Sequence, residues 1–152
     1  MTDELRAELT EVREALAAVR AAMSHADGAG ERLRSAKDWG LYDTFFGGGL
    51  VSSWVKRDRI TEVNDRIRSL DQSLEVARKE LADVGIGQVG GVGVSDLTLT
   101  LDVWFDNIFS DLMTQSKLNE AAERLRSVGT VLGRLQSELG RREADLVVQI
   151  GE

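Results

Sequence analysis

Apolar residues recur along this chain in alternating steps of three and four. Leu5, Leu9, Val12, Leu16, Val19 and Met23 form a first line of this kind. The spacing keeps one face of a helix apolar, and about three heptads of it predict a coiled-coil seam. Thr2 is a suitable N-cap, and Asp3 and Glu4 lie in the first turn, where the helix dipole favours anions. The AspGlyAlaGly run at 27 to 30 predicts the end of this helix, giving a span of about 2–26. A second line runs through Ile60, Val63, Ile67, Leu70, Leu74, Ala77, Leu81 and Val84 and stops at Gly85, within a helix of about 50–84. A third runs through Leu118, Ala121, Leu125, Val128, Leu132, Leu135 and Leu139, within a helix of about 105–148.

Three seams in one short chain predict an all-α fold: an elongated antiparallel three-helix bundle, or a coiled-coil hairpin with an added helix, in up-down-up order. The connectors are then an aromatic and glycine-rich stretch at 27–49 and a glycine-rich stretch at 85–104. In the second, Leu97, Leu99, Leu101 and Val103 alternate with Thr98, Thr100 and Asp102, as a half-buried strand does. Val89, Val92 and Val94 could supply its partner in a small β-hairpin at one tip of the bundle. A flexible loop is the alternative.

The second and third helices also match each other. Shifted by 58 positions, Glu62, Arg66, Arg68, Ser69, Leu74, Glu80 and Leu81 meet Glu120, Arg124, Arg126, Ser127, Leu132, Glu138 and Leu139. Upstream, YDTFF at 42–46 echoes FDNIF at 105–109. Duplication of an aromatic-aspartate start followed by a long helix is one origin; shared heptad constraints are the other.

Composition narrows the function classes. The 152 residues fit one domain, 1–152. Proline is absent, as long unbroken helices require. Cysteine is absent too, which removes thiolate chemistry and disulfides. A net charge of −7 with interleaved signs argues against nucleic-acid binding. No stretch is long and apolar enough for a membrane span, so the expected location is the cytoplasm, with membrane association as an option.

Candidate chemistry is sparse. His25, near Asp27 and Glu31, reads as a cation at a helix C-terminus rather than as a metal ligand. Asp102 and Asp106 could pair for acid–base work, but nothing distinguishes them among 26 acidic residues. GGVG at 90–93 and GGG at 47–49 lack the lysine and strand-loop-helix order of a nucleotide site. No catalytic residue, metal site or cofactor is expected, and the protein is read as not an enzyme. Gly129, Gly133 and Gly140 form a line in the third helix that predicts close approach of another helix, either Ala15, Ala18 and Ala22 of the first or, as the alternative, a second molecule.

The segment from Trp39 to Arg59 stands out. Trp39, Tyr42, Phe45, Phe46, Leu50 and Trp54 concentrate aromatic and aliphatic area, and Lys56, Arg57 and Arg59 follow at once. Such a segment can close the end of a bundle, dock a protein partner or a second copy, or lie on an anionic membrane surface. The expected function is accordingly a coiled-coil interaction or scaffold protein, with a peripheral membrane protein inserting residues 45–55 as the alternative. WGLYDTFFGGGLVSSWVKRDRI resembles a segment of uncharacterised bacterial helical proteins that carry a tryptophan, Asp-Thr-Phe and a glycine triplet before a long helix. The resemblance covers about Trp39 to Leu81 and implies no activity. Alanine and arginine richness points to a bacterial source of high GC content.

Overall fold

The computed structural model describes the backbone of residues 2–46, 50–84, 88–89, 92–93 and 115–151, and the side chains of 2–34, 61–84 and 119–151. Helix α1 spans Thr2–Phe46, α2 spans Leu50–Asp83, and α3 spans Gln115–Ile150. They pack into an all-α three-helix bundle. No helix among the described residues is long and apolar enough to cross a membrane. Between α2 and α3, β1 (Gln88–Val89) pairs antiparallel with β2 (Val92–Gly93), Val89 opposite Val92, and the pair abuts α3. The expected strand at 97–103, and Asp102 and Asp106, lie outside the described residues, as do 105–114 of the expected third helix.

Two expectations about α1 are overturned. The helix does not end at 26; it continues through Asp27, Gly28, Ala29 and Gly30 to Phe46, so most of the expected connector at 27–49 is helical. Tertiary packing overrides the glycines: Ala26, Ala29 and Leu33 extend the apolar face by another two turns and are all buried. His25 therefore sits in mid-helix, half-buried, with no C-terminus to cap. A glycine cap does close α3, where Gly151 adopts φ 85° and its N–H donates to the Val147 carbonyl at 3.1 Å.

The order is not up-down-up. Arg32 of α1 pairs with Glu62 of α2 at 3.2 Å, while Glu11 lies against Glu80 and Asp83, so α2 runs antiparallel to α1. Arg13 meets Glu143 of α3 at 3.0 Å and Glu8 accepts from Arg142 Nε at 2.8 Å, while Ala26 and Gly30 lie level with Leu125 and Gly129. Thus α3 also runs antiparallel to α1, and α2 and α3 are parallel.

Parallel docking gives the sequence match a structural counterpart. Val63, Ile67, Leu70, Leu74, Ala77 and Leu81 of α2 are buried, and so are Ala121, Leu125, Val128, Leu132, Leu135 and Leu139 of α3, each 58 positions on. Both helices present the same face to the core, in nearly the same register on α1. Alanine-rich α1, with Ala15, Ala18, Ala22, Ala26 and Ala29 buried, comes close to both partners. The leucines of α2 and α3 hold those two backbones farther apart.

Candidate functional site

The seams leave little apolar surface among the described residues. Only Val76 and Val148 are large exposed hydrophobics, at 51% and 76%, and they sit on different helices. No polar or charged residue is fully buried in the described core. The three seams are therefore spent on closing one bundle, and the aromatic segment remains as the place to look for contact outside it.

That segment forms the tip of the α1–α2 hairpin. Trp39, Tyr42, Phe45 and Phe46 occupy the last two turns of α1, and Leu50, Trp54, Lys56, Arg57 and Arg59 the first three turns of α2. Their side chains lie outside the described residues, but their positions in the helical repeat are fixed by the backbone. The α1 seam continues past Leu33 through Lys37, Gly40 and Thr44, and the α2 seam runs back from Ile60 through Lys56 and Ser53. Both seams turn polar at the tip.

The aromatics follow other lines, and these divide into two sets. At heptad steps back along α1, Phe45 follows Thr10, Ala17, Ser24 and Glu31, all exposed; Tyr42 follows Ala7, Glu14 and Ala21, also exposed, and half-buried Gly28. On α2, Trp54 precedes Thr61 and Arg68, both exposed, half-buried Glu75, and exposed Ala82. Trp39 and Phe46 instead continue the line of Glu11, Ala18 and Arg32, which flanks α2. Leu50 and Arg57 precede Asn64, Asp71 and Arg78, all half-buried. The segment thus joins two sets of positions: Trp39, Phe46 and Leu50 continue lines that are mostly half-buried among the described residues, and Tyr42, Phe45 and Trp54 continue lines that are mostly exposed there. Sequence reading grouped them because the long helix through 27–46, which separates the lines, was not foreseen.

Three further groupings meet only through the packing. Glu11, Glu80 and Asp83 bring three carboxylate oxygens within 4.8 Å of one another, close enough to share a cation. Partial burial, then the charges of Glu14, Asp83 and Glu80, hold the Glu11 carboxyl above its ordinary value. Nothing in the linear sequence signals this cluster, since its members are far apart along the chain. A cleft of about 850 Å³ opens between α1 and α3, floored by Ala26, Gly30, Leu33, Ala122, Leu125 and Gly129, with Asp27, Glu31, Arg34, Arg126 and Thr130 at its rim. The expected close packing of α1 on the α3 glycines does not occur. A methyl group added at Gly129, Gly133 or Gly140 would meet nothing within 4 Å.

The third is Asp71 on α2, whose Oδ1 is buried without a hydrogen-bond partner among the described residues. Burial, then the Glu75 carboxylate one turn on, push its carboxyl from 3.8 to about 6. The folded state therefore keeps this proton where the unfolded chain has released it. The contribution to stability is fully present below pH 3.8 and is lost as pH rises through about 6. Asp71→Asn is expected to be the more stable protein at pH 7, by ~1 kcal/mol once partial exposure is allowed for. Urea unfolding from pH 4 to 7 should show the difference between variant and wild type growing with pH; a constant difference would contradict this account of Asp71.

No protein-family profile, curated protein or solved structure matches this chain.

Proposed function

We propose that this protein is a non-enzymatic helical scaffold that docks a protein partner through the tip of its α1–α2 hairpin, a second copy of the chain being the first candidate. One observation carries the reading: Tyr42, Phe45 and Trp54 sit on helical lines whose described members are exposed except for half-buried Gly28 and Glu75, beyond the point where the seams turn polar. Aromatic side chains on such lines are the usual energetic centres of protein contacts. The seams themselves are occupied inside the bundle, which argues against association along the helix length.

The basic cluster Lys56, Arg57 and Arg59 beside these aromatics favours one other reading, attachment to an anionic membrane surface. Light scattering across a concentration series separates the two when combined with sedimentation on phosphatidylserine vesicles. Docking of a second copy predicts a mass above that of one chain at high concentration. It also predicts return to a single chain in Phe45→Asp with Trp54→Asp, helix content unchanged. A single chain at every concentration that pellets with the vesicles would replace this reading with the membrane one.

A further inference from the structure

We infer that the surface receiving the tip is the cleft between α1 and α3 of a second copy, so that two chains pair through two equal contacts, each tip seated in the other's cleft. This pairing rests on the docking role proposed for the tip and specifies what receives it. The cleft, of about 850 Å³, is of the size that encloses a small organic ligand, which leaves room for more than one aromatic side chain. Its floor is apolar from Ala26 and Leu33 on α1 across to Leu125 on α3. Between Gly30 and Gly129 the two helices stand well apart, since a methyl group added at either would meet nothing within 4 Å. Pockets of this kind house the aromatic anchors of protein contacts.

Position and charge select the tip as the occupant. Phe45 continues the helical line of Glu31, which lies on the cleft rim, so one face of α1 carries both the cleft and the Phe45 position. Gly30 and Phe45 are about 22 Å apart along the helix. Two chains laid antiparallel on this face, with a twofold axis midway, bring each Phe45 level with the other's Gly30. Such a contact is isologous and closes as a dimer. On the rim, Arg126 is already paired with Glu123 at 3.1 Å. Asp27, Glu31 and Arg34 form no ion pair among the described residues, and their balance is acidic. The tip brings Lys56, Arg57 and Arg59 beside its aromatics. Opposite charges around an aromatic contact steer the encounter and fix its register.

Sedimentation equilibrium of full-chain variants tests the pairing. Gly129→Leu fills the cleft from a position where an added side chain meets open space, and leucine is the better helix former, so the fold is kept. It should weaken the dimer by about tenfold or more, with helix content and unfolding midpoint no lower than in the wild type. Charge gives an independent readout. Asp27→Lys with Glu31→Lys in one variant, and Lys56→Glu, Arg57→Glu and Arg59→Glu in another, should each remain a single chain where the wild type pairs, because cleft and tip then carry like charge. Mixed in equal amounts they should pair one to one, since every cleft again meets a tip of opposite sign. A wild-type dimer lost in Phe45→Asp with Trp54→Asp but kept in Gly129→Leu and in both charge variants would overturn the cleft as receiver while leaving tip docking in place. A wild type that is a single chain at every concentration would remove docking of a second copy, and this pairing with it.

Discussion

Replacing Gly28, Gly30, Gly133 and Gly140 together by alanine is expected to raise the stability of this protein by about 3–4 kcal/mol. All four lie within helices, none adopts positive φ, and a methyl group at each would meet open space. The gain comes from two sources. Alanine restricts the unfolded chain more than glycine does, and it shields helical backbone from water. No packing has to rearrange, so the increments should add for the separated sites. Chemical denaturation reads the effect as a higher midpoint at constant slope. A loss of stability would mean that α1 and α3 approach more closely than the structure places them, as the sequence alone had suggested for the α3 glycines.

Leu74→Ala and Leu132→Ala are each expected to cost about 3 kcal/mol, within the usual range for deleting a fully buried leucine. Both side chains have no solvent exposure, and they occupy equivalent positions 58 residues apart on parallel helices. Equal costs follow from equal environments: each leucine fills a layer between α1 and the opposite long helix. Val76→Ala, half-exposed on the outer side of α2, should cost less than 0.5 kcal/mol, roughly the surface value. A small effect at Leu132 beside a large one at Leu74 would contradict the matched docking of α2 and α3. Thermal or urea unfolding of the three variants decides it.

Much of this fold could be read from the chain because heptad seams are a direct image of burial. Every described member of the second seam from Val63 onward, and of the third from Ala121, is buried. The reading failed where local propensity and tertiary packing disagree. AspGlyAlaGly at 27–30 carries a strong stop signal, yet Ala26, Ala29 and Leu33 keep the same face apolar and buried beyond it, and the helix runs on. Helix direction failed for a different reason. A seam has the same period read in either direction, so Leu118 to Leu139 identifies a helix without saying which way it docks; the pairing of Arg13 with Glu143 at one end, together with Gly30 lying level with Gly129 farther along, settles that.

The candidate site was legible as a location and not as an arrangement. Composition alone singles out Trp39 to Arg59, because aromatics are few elsewhere. Separating Trp39 and Phe46 from Tyr42, Phe45 and Trp54 requires an unbroken helical count from the bundle into the tip. That count exists only because α1 passes through its glycines. The Glu11, Glu80 and Asp83 cluster and the burial of the Asp71 oxygen, without a partner among the described residues, depend on which helices meet and in what register, and no local pattern encodes them.

The docking role of the tip is tested most directly by the solvent accessibility of Trp54. In a Trp39→Phe, Trp104→Phe background, acrylamide quenching of the remaining tryptophan should be compared between dilute and concentrated protein, with light scattering on the same samples. The account predicts a readily quenched Trp54 when the sample is a single chain, and protection as the mass rises. A Trp54 already shielded in the single chain would place it inside the bundle and contradict the docking surface.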